Sequence, residues 1–394
     1  MSSFPHRNRP LVVGINSLQV QPGRAMSVGI YLRHLVGGLA KVDEDAEYLI
    51  FVSPGTAGTF CTENPRFREV VCPGTHLSRP IRILYEQLFL PNLLRRFGVD
   101  VLFSPENSAP LNLPCRSVLG IQMMMMFTMP EYFPSLTRKV YFRYMMRQAV
   151  ARADRVVCVS DSIRREVAQY LGVPNSKMVV IPEAPAEFFR PMEPCAAKAE
   201  VARAFGVDGA YLLCVAIMAP YKNLIRLVEA FGIACRKANL PHQLVIAGGE
   251  DAWPGYRASV VKAVERCGLS NRVRLLGRVK HEGLVPLYSA ADALVFPSLC
   301  ESFGLPVVEA MACGCPVITS DYTCLPETAG GAALLVDPYD VESIADAMVK
   351  VATSEDLRAH LRQAGLERAS KLSWTESGRR LSRLFRDVCA TAKA

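Results

Sequence analysis

The chain has 394 residues, half of them apolar, and a formal net charge of +8. That length can bury two ordinary hydrophobic cores, so two domains are expected. No run of about 18 uncharged apolar residues occurs and the amino terminus lacks a continuous signal-type apolar core, which excludes a membrane-spanning chain and favours a cytosolic one. Thirteen cysteines are scattered, odd in number and without metal-type grouping. They exclude a disulfide-stapled scaffold and a cysteine zinc site and imply a reducing compartment.

In chain order, short apolar runs recur at Leu11–Ile15, Tyr48–Val52, Ser117–Ile121 and Val156–Val159, with helix-length segments between them. The second half repeats the rhythm at Tyr211–Val215, Leu244–Ala247, Val273–Leu276, Ala293–Phe296, Pro316–Thr319 and Ala333–Val336. Runs without polar alternation predict parallel strands covered on both faces, hence an α/β chain with doubly wound sheets. The methionine run within Gly120–Phe127 is too short to cross a bilayer and reads as a buried strand end and loop.

Charge is uneven, with 22 Lys and Arg against 15 Asp and Glu in residues 1–190. Much of the excess lies in a predicted helix bearing Arg138, Lys139, Arg143 and Arg147, continued by Arg152 and Arg155. Such a helix is ordinarily a solvated face; its functional reading is attraction to an anionic membrane surface or a lipid diphosphate. Nucleic acid is not expected, because no aromatic stacking platform or binding motif accompanies the charge. Ile181–Pro194 carries four prolines and reads as the connection between domains 1–185 and 186–373. A last helix from Trp374 to Cys389 presents Trp374, Leu381, Leu384 and Val388, which need cover.

The most informative stretch is Glu301–Thr319. Pro306 suits a first helical turn and Gly314 the left-handed position past the end, so a helix of about two turns is predicted from Pro306 to Cys313. Glu301 then lies in the loop leading in and Glu309 near the first turn. Ser302 and Gly304 let a ligand approach the backbone, and the unpaired amides and helix dipole favour an anion there. On residues alone, an anion seat flanked by two acceptors and an ordinary amphipathic helix both remain open.

The same segment resembles the E-x7-E signature of retaining glycosyltransferases of family 4. The resemblance continues upstream through Gly277-Arg278-Val279, His281-Glu282-Gly283, Tyr288 and Asp292, and downstream through Leu325-Pro326-Glu327 and Asp337-Pro338. It is strong over about 211–340 and looser before 180. It implies the GT-B fold: two Rossmann-like domains facing across a cleft, a nucleotide-diphosphate sugar as co-substrate, and residues 374–394 crossing back to the first domain.

Carried over residue by residue, the resemblance gives Glu309 the ribose hydroxyls, Glu301 a hydroxyl of the donor sugar, and the amides of Ser302, Phe303, Gly304 and Leu305 the diphosphate. Lys222 and Asn223, after an apolar strand and before a helix, match the family's K-N pair, with Lys222 on the leaving diphosphate. Ala216 and Ile217 replace the Gly and Arg usual there, so one phosphate charge is missing; Arg278 is a candidate substitute or a contact to the base. In the first domain Gln122-Met123 replaces a His-Asp pair, leaving Gln122 as a hydrogen-bonding catalytic candidate, and Gly29 holds the close-approach position of an altered glycine loop. No Asp-x-Asp in a metal-binding context occurs, so neither metal nor cofactor is expected.

The implied activity is transfer of a hexose, with mannose preferred, to a glycan or lipid-linked acceptor of a surface polysaccharide. It implies a cytoplasmic enzyme with peripheral contact to the inner membrane. Ile217, Gln122 and Met123 motivate the alternative, a catalytically silent glycan- or partner-binding protein on the same fold. A P-loop enzyme and a Rossmann dehydrogenase are disfavoured, because neither glycine signature is present.

Overall fold

The computed structural model describes residues 9–20, 27–132, 135–249 and 253–390. Two compact units emerge: one runs to Glu183 and resumes at Ser373, and the other spans Ala184–Leu372. Met26 of the altered glycine loop and residues 391–394 lie outside the described residues.

The first unit holds seven parallel strands: β1 (Val12–Asn16), β2 (Glu47–Val52), β3 (Phe67–Val71), β4 (Val101–Ser104), β5 (Arg116–Ile121), β6 (Arg155–Cys158) and β7 (Met178–Val180). Their order is β3-β2-β1-β4-β5-β6-β7. Val13 faces Tyr48 on one side and Val101 on the other. The second unit holds β8 (Tyr211–Val215), β9 (Gln243–Ala247), β10 (Val273–Gly277), β11 (Ala293–Phe296), β12 (Val317–Ser320) and β13 (Leu334–Val336), in the order β10-β9-β8-β11-β12-β13. Central strands such as β8 and β11 are buried along nearly their whole length, as both-face cover requires.

Three strands fall outside the apolar runs of the sequence. Edge strand β3 carries Arg68 and Glu69, whose charges interrupt the run; Glu69 accepts from the amides of Gly58 and Phe60. Strand β4 is four residues long, and β7 is three residues that run into prolines. Both are too short to declare themselves by periodicity.

The helices used below are α1 (Ser27–Val42), α2 (Arg79–Leu88), α3 (Leu136–Arg152), α4 (Leu224–Ala238), α5 (Leu284–Ala290), α6 (Leu305–Ala312) and α7 (Trp374–Ala390). The basic helix α3 stops at Arg152, and Arg155 opens β6.

Helix α7 packs on α1 within the first unit and buries Trp374, Leu381, Leu384, Phe385 and Val388. Two glycines set the separation: a Cβ on Gly38 would stand 2.1 Å from the carbonyl oxygen of Trp374, and one on Gly378 would stand 2.6 Å from the carbonyl carbon of Gly38. Just past α1, Asp43 accepts from Tyr48 Oη at 2.7 Å, Ser382 Oγ at 2.6 Å and Arg386 Nη2 at 2.8 Å. Burial alone would raise the Asp43 carboxyl, but these donors outweigh it and hold its pKa at about 2.

Gly378→Ala should therefore destabilise the protein by about 1–3 kcal/mol through overpacking. Gly37→Ala, where an added Cβ meets nothing within 4 Å, should be neutral or stabilising in the same urea titration. Because the folded pKa of Asp43 is depressed, its contribution is present above the unfolded value near 4 and lost as pH falls toward 2. A pH series of unfolding curves should show about 2 kcal/mol lost over that window, and Asp43→Asn should remove that acid-dependent part.

Candidate active site

Each sheet reverses its winding once, between β1 and β4 and between β8 and β11. Loops leaving the carboxyl ends of such a strand pair diverge and open the crevice where parallel sheets bind ligands. Lys222 leaves β8 in the 3₁₀ turn Pro220–Lys222, and Glu301 lies in the loop that leaves β11. The fold thus brings together two residues 79 apart: Lys222 Nζ stands 2.5 Å from Glu301 Oε1. Both side chains are nearly buried, at 12% and 8% exposed. The ammonium also lies 5.2 Å from the ring centroids of Tyr221 and of Phe296. Burial alone would pull the lysine pKa down, but the facing carboxylate reverses it and holds the group above its ordinary value.

Backbone and hydroxyl bonds fix the two loops to each other. Leu299 N donates to Tyr221 O at 2.8 Å, Ser298 Oγ donates to the same carbonyl at 3.1 Å, and Ser320 Oγ donates to Ser298 O at 2.6 Å. Asn223 takes the left-handed conformation at φ 61°, which asparagine tolerates. Its buried amide donates to Pro297 O at 3.0 Å and Pro338 O at 2.6 Å and accepts from Arg226 at 3.0 Å. The side chain expected on the donor is turned into the protein, where it clamps the loops after β11 and β13 to the start of α4.

Helix α6 begins at Leu305, one residue before the pattern suggests, and its last turn closes at Cys313 with Gly314 at φ 73°. Gly304 caps its start at φ 90°, and a Cβ there would meet Leu325 at 2.6 Å. Glycine is thus required twice, by backbone and by space. Phe303 is buried and its carbonyl accepts from Thr328 Oγ1 at 2.5 Å, which fixes the loop carrying Ser302 and Gly304. Within the first turn Pro306 has no N–H and Val307 N donates to Gly304 O at 2.9 Å, so donors at this end come from the backbone before Pro306, beside the partial positive charge of the helix start.

Glu309 lies in the second turn of α6, not the first, and is buried. Its Oε1 is 2.8 Å from His281 Nε2, and its Oε2 accepts from Tyr288 Oη at 3.1 Å. An ionised carboxylate only accepts, so His281 Nε2 carries the proton. Burial holds the Tyr288 phenol far above its ordinary pKa, with Glu309 adding to it, so Tyr288 stays a donor. His281 is packed edge-on against the rings of Phe188 and Phe189. Neither His281 nor Tyr288 figured among the site residues read from the sequence, although both stand in the stretch that carries the resemblance. Spacing alone does not show that a turn after β10 and α5 converge on one side chain of α6.

Around the same edge, Met218 N donates to Gly249 O and Gly248 N to Gly277 O. A Cβ on Gly248 would sit 1.8 Å from Ala216 O, so the strand-end backbones touch directly. Ile217, in the place of the family's arginine, is 39% exposed. The guanidinium of Arg278 lies over Gly249, where a built Cβ would be 3.3 Å from it. In the first unit Gln122 follows β5; its amide N–H donates to Asn107 Oδ1 at 2.9 Å. Its side-chain Nε2 and the Tyr31 hydroxyl are both buried; burial raises the Tyr31 phenol far above its ordinary pKa, and the neighbouring Gln122 side chain opposes that rise. Gly29 sits in the first turn of α1, not in a loop, and its open side faces Val20.

The family described as glycosyl transferases group 1 matches residues 198–368, and glycosyltransferase family 4 matches residues 28–184. O-antigen chain mannosyltransferase B of Escherichia coli is 31% identical over 282 residues, covering 71% of this chain and 72% of that protein. The serotype-specific mannosyltransferase WbdA of Escherichia coli is 28% identical over 228 residues, which are 57% of this chain and 28% of that longer one. Among solved structures, sucrose-phosphate synthase from Thermosynechococcus elongatus superposes with a TM-score of 0.77 at 21% identity, covering 97% of this chain and all of that one. A glycosyltransferase from Rickettsia africae gives 0.73 at 16% identity, covering 98% of this chain and all of that one. The two parallel-sheet units are thus those of the GT-B fold, and the chain belongs to the group 1 glycosyltransferases, with the family 4 region in its first unit.

Proposed function

We propose that this glycosyltransferase moves a hexose, with mannose preferred, from a nucleotide-diphosphate sugar to a glycan or lipid-linked acceptor in surface polysaccharide synthesis, with retention at the anomeric carbon. The observation that carries this reading is the Lys222–Glu301 pair at the β8/β11 crevice. Departure of a nucleoside diphosphate leaves an oxyanion on the leaving group and positive charge on the sugar. Lys222, the backbone amides of Ser302 to Leu305 leading into α6 and the helix dipole would receive the former, with no metal required. Glu301, held by Lys222, would accept from a donor-sugar hydroxyl. Glu309, held by His281 and Tyr288, keeps lone pairs for the ribose. Both carboxylates are thus engaged as oriented acceptors and neither is set as a hydrolase nucleophile. Gln122, buried beside Tyr31 and able both to donate and to accept, is suited to a sugar hydroxyl. The mannose preference is supported by relatives that are O-antigen chain mannosyltransferases, while other relatives are D-inositol 3-phosphate glycosyltransferases. A lipid-linked acceptor would place the enzyme at the cytoplasmic membrane face, reached through the basic first unit.

A panel of nucleotide sugars scored by thermal shift and slow donor hydrolysis should name base and sugar together; no response to any member would overturn the reading. Lys222→Ala should lower kcat at saturating donor by on the order of 10²–10³, and Ile217→Arg should restore part of it. Chelator should leave the parent's turnover unchanged; full turnover in Lys222→Ala, or abolition by chelator, would move the leaving-group role elsewhere.

Glu309→Ala should weaken nucleotide binding by roughly 1–3 kcal/mol in calorimetry. Glu301→Gln, which uncovers the charge of Lys222, should hold or tighten affinity for the free nucleoside diphosphate while turnover falls. If both substitutions weaken binding alike, the division of roles between the carboxylates is wrong.

A further inference from the structure

Helix α2 is packed with its polar side inward. Its apolar residues Ile81, Leu84 and Leu88 recur on one face, which on an ordinary surface helix would turn to the core. Here they are 43%, 54% and 58% exposed, while Arg82 and Glu86 are buried. Adjoining α3 buries Met145, Met146, Ala149 and Val150 in the ordinary way, yet Leu136, Val140 and Tyr144, at four-residue spacing, are 72%, 61% and 57% exposed. The helices are neighbours, since the Arg79 guanidinium lies 4.5 Å from the Phe142 ring centroid. Under α2, Arg82 Nε stands 3.7 Å from Glu86 Oε1, and neither atom has a hydrogen-bond partner among the described residues. This buried pair marks the inward side of α2, opposite its apolar face.

The rim of the face is basic. Arg79, Arg138 and Arg147 are exposed beside the apolar side chains. Glu86 and Glu106, the carboxyls nearest Arg79 and Arg82, are each pushed up to about 7 by burial, so near neutral pH they cancel only part of the positive field. Apolar side chains ringed by arginines fit the boundary between headgroups and acyl chains of an anionic bilayer, where the former enter hydrocarbon and the latter meet phosphates. No described helix is long and apolar enough to cross a membrane, so the contact is one of surface seating.

We infer that the outward faces of α2 and α3 seat the first unit on an anionic bilayer, with Ile81, Leu84, Leu88, Leu136 and Val140 entering the lipid and Arg79 and Arg138 holding headgroup phosphates. The inference rests on the proposed membrane contact and replaces a general basic attraction by a defined apolar element.

The test is co-sedimentation of the full chain with phosphatidylcholine vesicles and with vesicles containing phosphatidylglycerol. The parent should bind the anionic vesicles and release as salt rises. The variant carrying Leu84→Ser and Leu88→Ser should lose at least about tenfold in vesicle affinity. Arg79→Gln with Arg138→Gln should lose the preference for anionic lipid. All are exposed positions, so melting temperatures should be unchanged. Failure of the parent to bind either vesicle, undiminished binding by the serine variant, or a solution dimer that the serine changes dissociate would overturn the proposal, the last by showing a second copy as the occupant. Sugar transfer to a water-soluble acceptor without vesicles should survive in the serine variant; its absence in parent and variant alike, with vesicle binding intact, would defeat the transferase reading and leave this one standing.

Discussion

The buried pair of Lys222 and Glu301 is the constraint on which the second unit's functional edge turns. Placing two charges where they are 12% and 8% exposed costs desolvation that their attraction offsets only when the geometry is held. The surrounding structure supplies that geometry. Tyr221 O collects two hydrogen bonds from the β11 loop, and Asn223 fastens the loops after β11 and β13 to the residue next to Lys222. An ion pair of this kind is a weak source of net stability, and an apolar replacement of both partners would be expected to fold. Its presence at the β8/β11 crossing is therefore better explained by what the two charges do there than by what they contribute to folding.

Close backbone approach is the second constraint. Gly248 lies against Ala216 O and Gly304 against Leu325, so at both places a side chain would displace the loops that carry the site. These glycines act through space and conformation, and the residues between them inherit fixed positions. Ile217 shows the consequence. Its backbone lies against Gly248 of the neighbouring strand end while its side chain is exposed, so a charged side chain there would change the electrostatics without displacing the strands.

Much of this edge was legible in the amino-acid sequence because it is written locally. Uninterrupted apolar runs marked ten strands, and proline and glycine bracketed α6 to within a residue at its start. What was not legible depends on side chains meeting across the fold. His281 and Tyr288 reach Glu309 from a turn and a separate helix, and no spacing rule encodes that. The clamp by Asn223 is likewise non-local, since its partners Pro297 and Pro338 are 74 and 115 residues away. The strands β3, β4 and β7 are charged or short, so their pairing comes from neighbours in the sheet rather than from their own pattern.

The inverted face of α2 was hidden for a different reason. Its apolar periodicity is plain in the sequence, but periodicity states only that a helix has two sides, not which one meets water. In the structure Arg82 and Glu86 turn inward beside Glu106 and Tyr141, and the leucines face outward. A buried arginine with an unsatisfied Nε is costly, and a helix free to rotate would place those groups in water and its leucines in the core. That it does not do so means the neighbouring packing opposes rotation. The cost of the inverted face is then borne by the packing of the whole first unit.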